Sequence, residues 1–239
     1  MKKMFALPIL LFAISIFTLA QANDQTSTPD KDQPEVVKRA NSAAQVLDDI
    51  MSTPDKGIPE DVLSSAKCIA VVPSMIKGGF IVGGRYGKGL ATCRAKNGWS
   101  APAPITIAGG SWGLQFGGEA VDLVMLVMND QGMHNLLRSK FKLGADASVA
   151  AGPVGRDASG NTDWKMRAQV LTYSRSRGVF AGITLNGAVI KQDKDDTRLL
   201  YGKVVPFDTI LSSKVPAPAS THRFLAAIRK YARDARANG

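Results

Sequence analysis

The strongest constraint in this chain is the stretch PSMIKGGFIVGGRYGKGLATCR, residues 73–94, which sets six glycines and four basic side chains around short apolar runs. Glycine at this density allows three readings: a loop that cradles phosphate, a catalytic turn, or strands whose backbones come close. A phosphate-binding loop needs a glycine five residues before a Gly-Lys pair and a hydroxyl residue after the lysine. Val82 stands at the first of these positions and Gly89 at the last, so that reading fails twice. KGGFIV also has part of the pattern of an RNA-binding strand, but with its aromatic in the wrong register. What remains is spacing. Gly79, Gly83 and Gly87 are four apart, as are Gly109, Gly113 and Gly117, which places each set on one face of an extended strand. Strands that curl tightly or pack backbone against backbone are what this predicts, with a ligand lying on bare backbone as the alternative.

Short β segments continue to about Lys203, separated by glycine, proline or asparagine: CIAVV, GFIVGGRYG, GLATCR, APITIAGG, AVDLVMLVM, RAQVLTYSRS, GVFAGITLNGAVI and an edge near LLYGKVV. Helical spacing appears from Val36 to Ile50, from Pro59 to Ala66, and in DQGMHNLLRSKF, which Asp130 can cap. The fold class is therefore α+β: a strongly bent antiparallel sheet or barrel-like sandwich with several packed helices. After the proline-rich KVPAPAST, residues 216–239 carry a basic amphipathic helix, with Phe224, Leu225, Ile228 and Tyr231 on one side and Arg229, Lys230 and Arg233 on the other.

The N-terminus reads as a secretory signal peptide over residues 1–22: a positive MKKM, an uncharged apolar run, and Ala20-Gln21-Ala22 as a cleavage pattern. Polar residues 23–35 read as a flexible leader. Removing Lys2 and Lys3 takes the formal charge from +10 to +8. An exported basic chain meets anionic lipid, polysaccharide or an acidic partner rather than nucleic acid. The expected location is the periplasm or cell surface, peripheral to the membrane. Cys68 and Cys93 are the two cysteines; in an oxidising compartment they form either one bridge or two buried thiols. With His134 and His222 far apart, no metal-ligand spacing is present.

Three further patterns suggest chemistry. Gly109-Gly110-Ser111-Trp112-Gly113 matches GxSxG, which lifts a serine nucleophile between a strand and a helix, yet LQFGGEAV is a poor helix start. Asp157, Ser159, Asn161 and Asp163 alternate like calcium ligands, but Thr162 replaces the required glycine and Ala168 the bidentate glutamate, so a polar hairpin turn fits as well. Asp122 lies in an apolar strand three residues from Glu119; structural pairing is favoured over an acid/base pair.

Four ordered blocks complete the sequence reading. IPEDVLSSAKCIAVVPSMIKGGFIVGGRYGKGLATCR, WSAPAPITIAGGSWGLQFGGEAVDLVMLVMN, AGPVGR and YSRSRGVFAGITLNGAVI resemble the successive blocks of the SYLF domain family. The resemblance runs from about Val36 to Tyr201, within a domain set at 36–215. It implies a non-enzymatic phospholipid-binding module without cofactor; some eukaryotic members bind phosphoinositide or actin. Matching basic positions are Lys77, Arg85, Lys88, Arg156, Arg175 and Arg177, to which the C-terminal helix adds Arg229, Lys230 and Arg233. The expectation is one cationic face on an anionic phospholipid membrane. Each basic residue near such a surface contributes about 1 kcal/mol, so apolar insertion must help; the two amphipathic helices are the candidates for it, the favoured alternative being that both dock on the sheet and cover its core. The alternatives are an envelope structural or adhesion protein with a protein or polysaccharide partner, and a serine hydrolase using Ser111.

Overall fold

The computed structural model describes residues 33–53, 57–79, 82–96, 98–112, 118–153, 168–176, 179–182 and 185–232. Helix α1 (Glu35–Met51) follows Pro34 and buries Val36, Ala40, Ala43, Leu47 and Ile50, the positions that its helical spacing selects. A short α2 (Glu60–Ser65) leads into β1 (Cys68–Gly79), β2 (Val82–Ala95), β3 (Gly98–Trp99), β4 (Ala103–Trp112) and β5 (Gly118–Val127). Next comes α3 (Asp130–Leu137), whose cap is Asn129 rather than Asp130: the Asn129 side chain accepts the Gly132 N–H at 2.8 Å. Phe141, expected on that helix, instead lies on β6 (Lys140–Lys142).

The remaining strands are β7 (Val149–Ala151), β8 (Val170–Ser176), β9 (Val179–Gly182) and β10 (Val189–Gln192). LLYGKVV is not an edge strand. Asp193 caps α4 (Lys194–Tyr201) by accepting the Asp196 N–H, and Gly202 ends it with φ +73°, so local capping overrides the strand-like LLY. Two more helices, α5 (Phe207–Leu211) and α6 (His222–Tyr231), close the described chain.

The strands run in the order β6-β10-β4-β2-β1-β5-β8-β7, with β3 added to β2 and β9 to β8. Pairing is antiparallel except between β7 and β8. The sheet curls into a half-barrel packed with helices, the α+β architecture expected.

The glycine-rich stretch explains part of the curl. At Pro73–Ser74 the register of β1 slips by one residue against both neighbours, and Ser74 takes φ +50°. Asp122 holds this bulge, its Oδ1 accepting the Ser74 N–H at 3.0 Å. Opposite the bulge, β2 presents Gly89 and Gly87. A methyl group on Gly89 would stand 2.1 Å from the Val71 carbonyl oxygen, and one on Gly87 would stand 2.6 Å from the Val72 side chain. Gly89 thus serves close backbone approach, as the strand reading requires, while Gly87 makes room for the Val72 and Met75 side chains.

Each face of the sheet has its own core. On one, Val72, Met75, Ile105, Leu123 and Met125 pack with Phe207, Ile210 and Leu211 of α5. On the other, Ile69, Val71, Leu126 and Tyr173 pack under α1, α2 and α6. Residues after 215 thus share the sheet's core: Phe224, Leu225, Ala227 and Ile228 are buried. Cys68 and Cys93 are cross-strand partners on β1 and β2, joined as a disulfide inside the α5-side core.

Candidate functional site: the turn end of β1 and β2

Beyond the bulge, strand alternation sorts the side chains of β1 and β2 into two sets. Ile76 faces Tyr86, Lys77 faces Arg85, and Gly78 faces Gly84. Ile76 and Tyr86 lie on the side that α1 covers further down, but α1 stops short of them, so they stand 60% and 50% exposed. Few large apolar side chains are so open elsewhere among the described residues. Gly118, Gly78, Gly84 and Gly110 form the next row across β5, β1, β2 and β4. Methyl groups on Gly84, Gly110 or Gly118 would meet nothing closer than 3.9 Å, so this row is an open floor.

Lys77 and Arg85 occupy the opposite side, with Glu119 as the other neighbour of Lys77. Both are half-buried. Burial pushes the Lys77 ammonium below its ordinary pKa; Glu119 works against this and Arg85 with it. Burial likewise lowers Arg85. Two cations directly opposite on neighbouring strands repel, which raises the gain from an anion placed beside them.

The other basic residues named from sequence go elsewhere. Lys88 pairs with Asp193 at 2.7 Å and Asp196 at 3.3 Å, and Arg39 of α1 also bonds Asp196. Burial alone would lower the Lys88 pKa, but the two carboxylates hold it above the ordinary value. Arg175 bonds Asp49 of α1, and Lys230 bonds Asp48 at 3.3 Å beside Tyr231, whose hydroxyl donates to the same carboxylate at 2.7 Å. Hydrogen bonding from Tyr231, aided by Lys230, keeps Asp48 below the usual carboxylate range despite burial. Arg229 is exposed on α6. Arg156, Arg177 and Arg233 lie outside the described residues, as does the calcium-like segment 157–163.

Among the described positions, the basic residues named from sequence therefore fall into separate groups rather than on one cationic face. Arg94, at the Cys93 end of β2, donates to Ala232 O at 3.0 Å and so fixes the end of α6 there. Lys77 is nine residues along β1 from Cys68, roughly 30 Å of strand. Of the two readings of the amphipathic helices, docking is the one observed: the apolar sides of α1 and α6 are packed on the sheet and on each other. Ile76 and Tyr86 were missed as the exposed apolar pair. The available signal was the alternation MIK and RYG about the glycines, but only the register shows that the two face each other.

For the two catalytic alternatives, the structure agrees with the non-catalytic readings favoured from sequence. Ser111 lies within β4 opposite Gly83 rather than in a turn, and the next described element is the strand β5 rather than a helix. Glu119 and Asp122 lie on opposite sides of β5; Glu119 accepts from the Ser176 hydroxyl, and Asp122 holds the bulge. They are structural acceptors, not an acid/base pair.

Comparison with known proteins places this architecture. The family described as "Ysc84: Las17-binding protein actin regulator" matches residues 108–231. "SH3 domain-containing YSC84-like protein 1" of Rattus norvegicus is 39% identical over 163 residues, covering 67% of this chain and 48% of the relative. Its Homo sapiens counterpart is 37% identical over 163 residues, covering 67% and 47%. "LAS seventeen-binding protein 3" of Saccharomyces cerevisiae is 36% identical over 166 residues, covering 67% and 36%. The chain spans about half the length of the mammalian relatives it matches. With more than half of its residues matched by the family, the chain belongs to the Ysc84 family, whose shared unit is the SYLF domain.

Proposed function

We propose that this protein is an exported, non-enzymatic module that binds anionic phospholipid peripherally, and that it does so with the turn end of β1 and β2. One observation carries the reading: an exposed apolar pair, Ile76 and Tyr86, stands back to back with a cationic pair, Lys77 and Arg85, at the end of one strand pair. Apolar side chains that enter the headgroup layer place adjacent cations at phosphate level. Two cations contribute about 2 kcal/mol at an anionic surface. Partial burial of two large apolar side chains adds about 2–3 kcal/mol. The sum corresponds to a dissociation constant of roughly a tenth of a millimolar to a millimolar, a reversible association that needs both parts. Export rests on the pattern of residues 1–22.

The test is co-sedimentation of the full chain with vesicles of phosphatidylglycerol or of neutral phosphatidylcholine at low salt. Binding to the first and not the second is expected. Failure to bind phosphatidylglycerol refutes the reading.

A protein partner is the second reading, supported by the relatives' names, which speak of Las17 binding and actin regulation. The same Ile76–Tyr86 pair would then meet a protein of the cell envelope. A pull-down that retains one saturable protein, lost in Ile76→Asp, while vesicles float free of the chain would favour it over lipid.

A further inference from the structure

A second cationic surface lies away from the Lys77–Arg85 pair, and register alone creates it. Lys88 on β2 faces Thr106 on β4, Thr106 faces Lys191 on β10, and Lys191 faces Lys140 on β6. These side chains stand on the side opposite Ile105, Ile107, Ile190 and Phe141, which are buried in the α5-side core. Together with Tyr86 and Lys194 they line a cleft of about 460 Å³, a size that accepts a small ligand.

Charge in this cleft does not balance. Its two carboxylates are already matched, Asp193 by Lys88 at 2.7 Å and Asp195 by Arg198 at 3.3 Å. The amino groups of Lys140, Lys191 and Lys194 have no carboxylate within ion-pair distance among the described residues. Lys142, two residues along β6 on the same side, is likewise exposed and without an ion pair among them. Lys191 and Lys140 are direct cross-strand neighbours, an arrangement that destabilises a sheet unless an anion lies between them. Lysine presents a point charge with several donors, suited to phosphate oxygens rather than to a planar fork. Tyr86 adds an apolar wall and a hydroxyl.

We propose that this cleft is a binding site for a phosphoryl anion, with Lys140, Lys191 and Lys194 as its ligands and Tyr86 as its wall. The site shares Tyr86 with the membrane reading but uses none of Ile76, Lys77 and Arg85, so substitutions separate the two. Lys88 is a positioning residue: it holds Asp193, the residue that caps α4, and so fixes Lys194 at the first turn of that helix.

The test is calorimetric titration of the full chain with inorganic pyrophosphate at about 20 mM salt, where exposed charges are least screened. The wild type is expected to bind saturably. Lys140→Gln/Lys191→Gln should weaken binding at least tenfold, whereas Lys203→Gln/Lys214→Gln, two exposed lysines outside the cleft, should leave it within twofold. All four substitutions are at the surface or half-exposed, and unchanged melting temperatures verify the fold. Absence of saturable binding to the wild type, or equal losses in the two double variants, overturns the proposal. Flotation of Lys140→Gln/Lys191→Gln with phosphatidylglycerol vesicles separates the sources of the phosphoryl group. A parallel tenfold drop assigns the cleft to a lipid headgroup, and unchanged flotation assigns it to a soluble ligand.

Discussion

Gly89 shows how one missing side chain shapes this sheet. Its α-hydrogen points at the Val71 carbonyl, where a methyl group would sit 2.1 Å from backbone oxygen. Gly89→Ala should therefore destabilise the fold by about 3 kcal/mol or more, by displacing β1 from β2. Gly118→Ala, with nothing within 4 Å, should change stability by less than about 0.5 kcal/mol. Urea unfolding of the two variants checks the contrast; similar losses in both would remove close approach as the reason for the glycines. Asp193 makes a different kind of residue-scale prediction. Burial raises its pKa, but Lys88, the Asp196 N–H and the Thr106 hydroxyl outweigh burial and hold it below the usual carboxylate value. A depressed folded pKa means stabilisation present above the unfolded pKa near 4 and lost as pH falls through the lower folded value. Lys88, whose pKa is raised, keeps its contribution until well above pH 10. Asp193→Asn should thus lower stability by about 3 kcal/mol at pH 7 and flatten the decline between pH 5 and pH 3 in a series of thermal melts.

Among the elements, α6 had two roles open to it from composition. Basic on one side and apolar on the other, it reads from sequence as a cover docked on the sheet's core or as a helix able to meet a membrane. In the structure Phe224 and Ile228 are fully buried against α1 and the sheet, while Lys230 and Tyr231 grip Asp48. Phe224→Ala should lower stability by about 3–5 kcal/mol, measurable as a lower urea midpoint at constant m. A change below 1 kcal/mol would mean that the helix is not part of the core. Amphipathicity shows that a helix has a partner and leaves the partner's identity open, which is why the packing of α1 and α6 was legible only as one of two outcomes. The strands were legible for a firmer reason: turn residues and alternation mark β1, β2, β4 and β5 locally. Their neighbours were not. Lys88, Lys140 and Lys191 are each about fifty residues apart in the chain, and only the pairing of β4, β10 and β6 brings them into one row. The LLY of α4 failed as a strand because a three-residue apolar run has no period, and capping by Asp193 and Gly202 decided it.

At the scale of the molecule, the half-barrel has a stapled end and an open end. Cys68 and Cys93, the Arg94 bonds to Ser64, Ala66 and Ala232, and the α1–α6 contact gather at the first. The disulfide spans 25 residues, so its loss should cost about 3–4 kcal/mol in the chain-entropy view. The second end carries Ile76, Tyr86, Lys77, Arg85 and the open glycine row, where no helix covers the α1 side of the sheet among the described residues. Such polarity suits a rigid body that meets a surface with one end. Tyr86→Trp places a reporter at that end without removing an apolar side chain. Its emission, taken as the difference from the wild-type chain, should shift to the blue on adding phosphatidylglycerol vesicles and be quenched by lipids brominated along their acyl chains. Vesicle binding with no shift and no quenching at position 86 would contradict membrane contact through the turn end of β1 and β2.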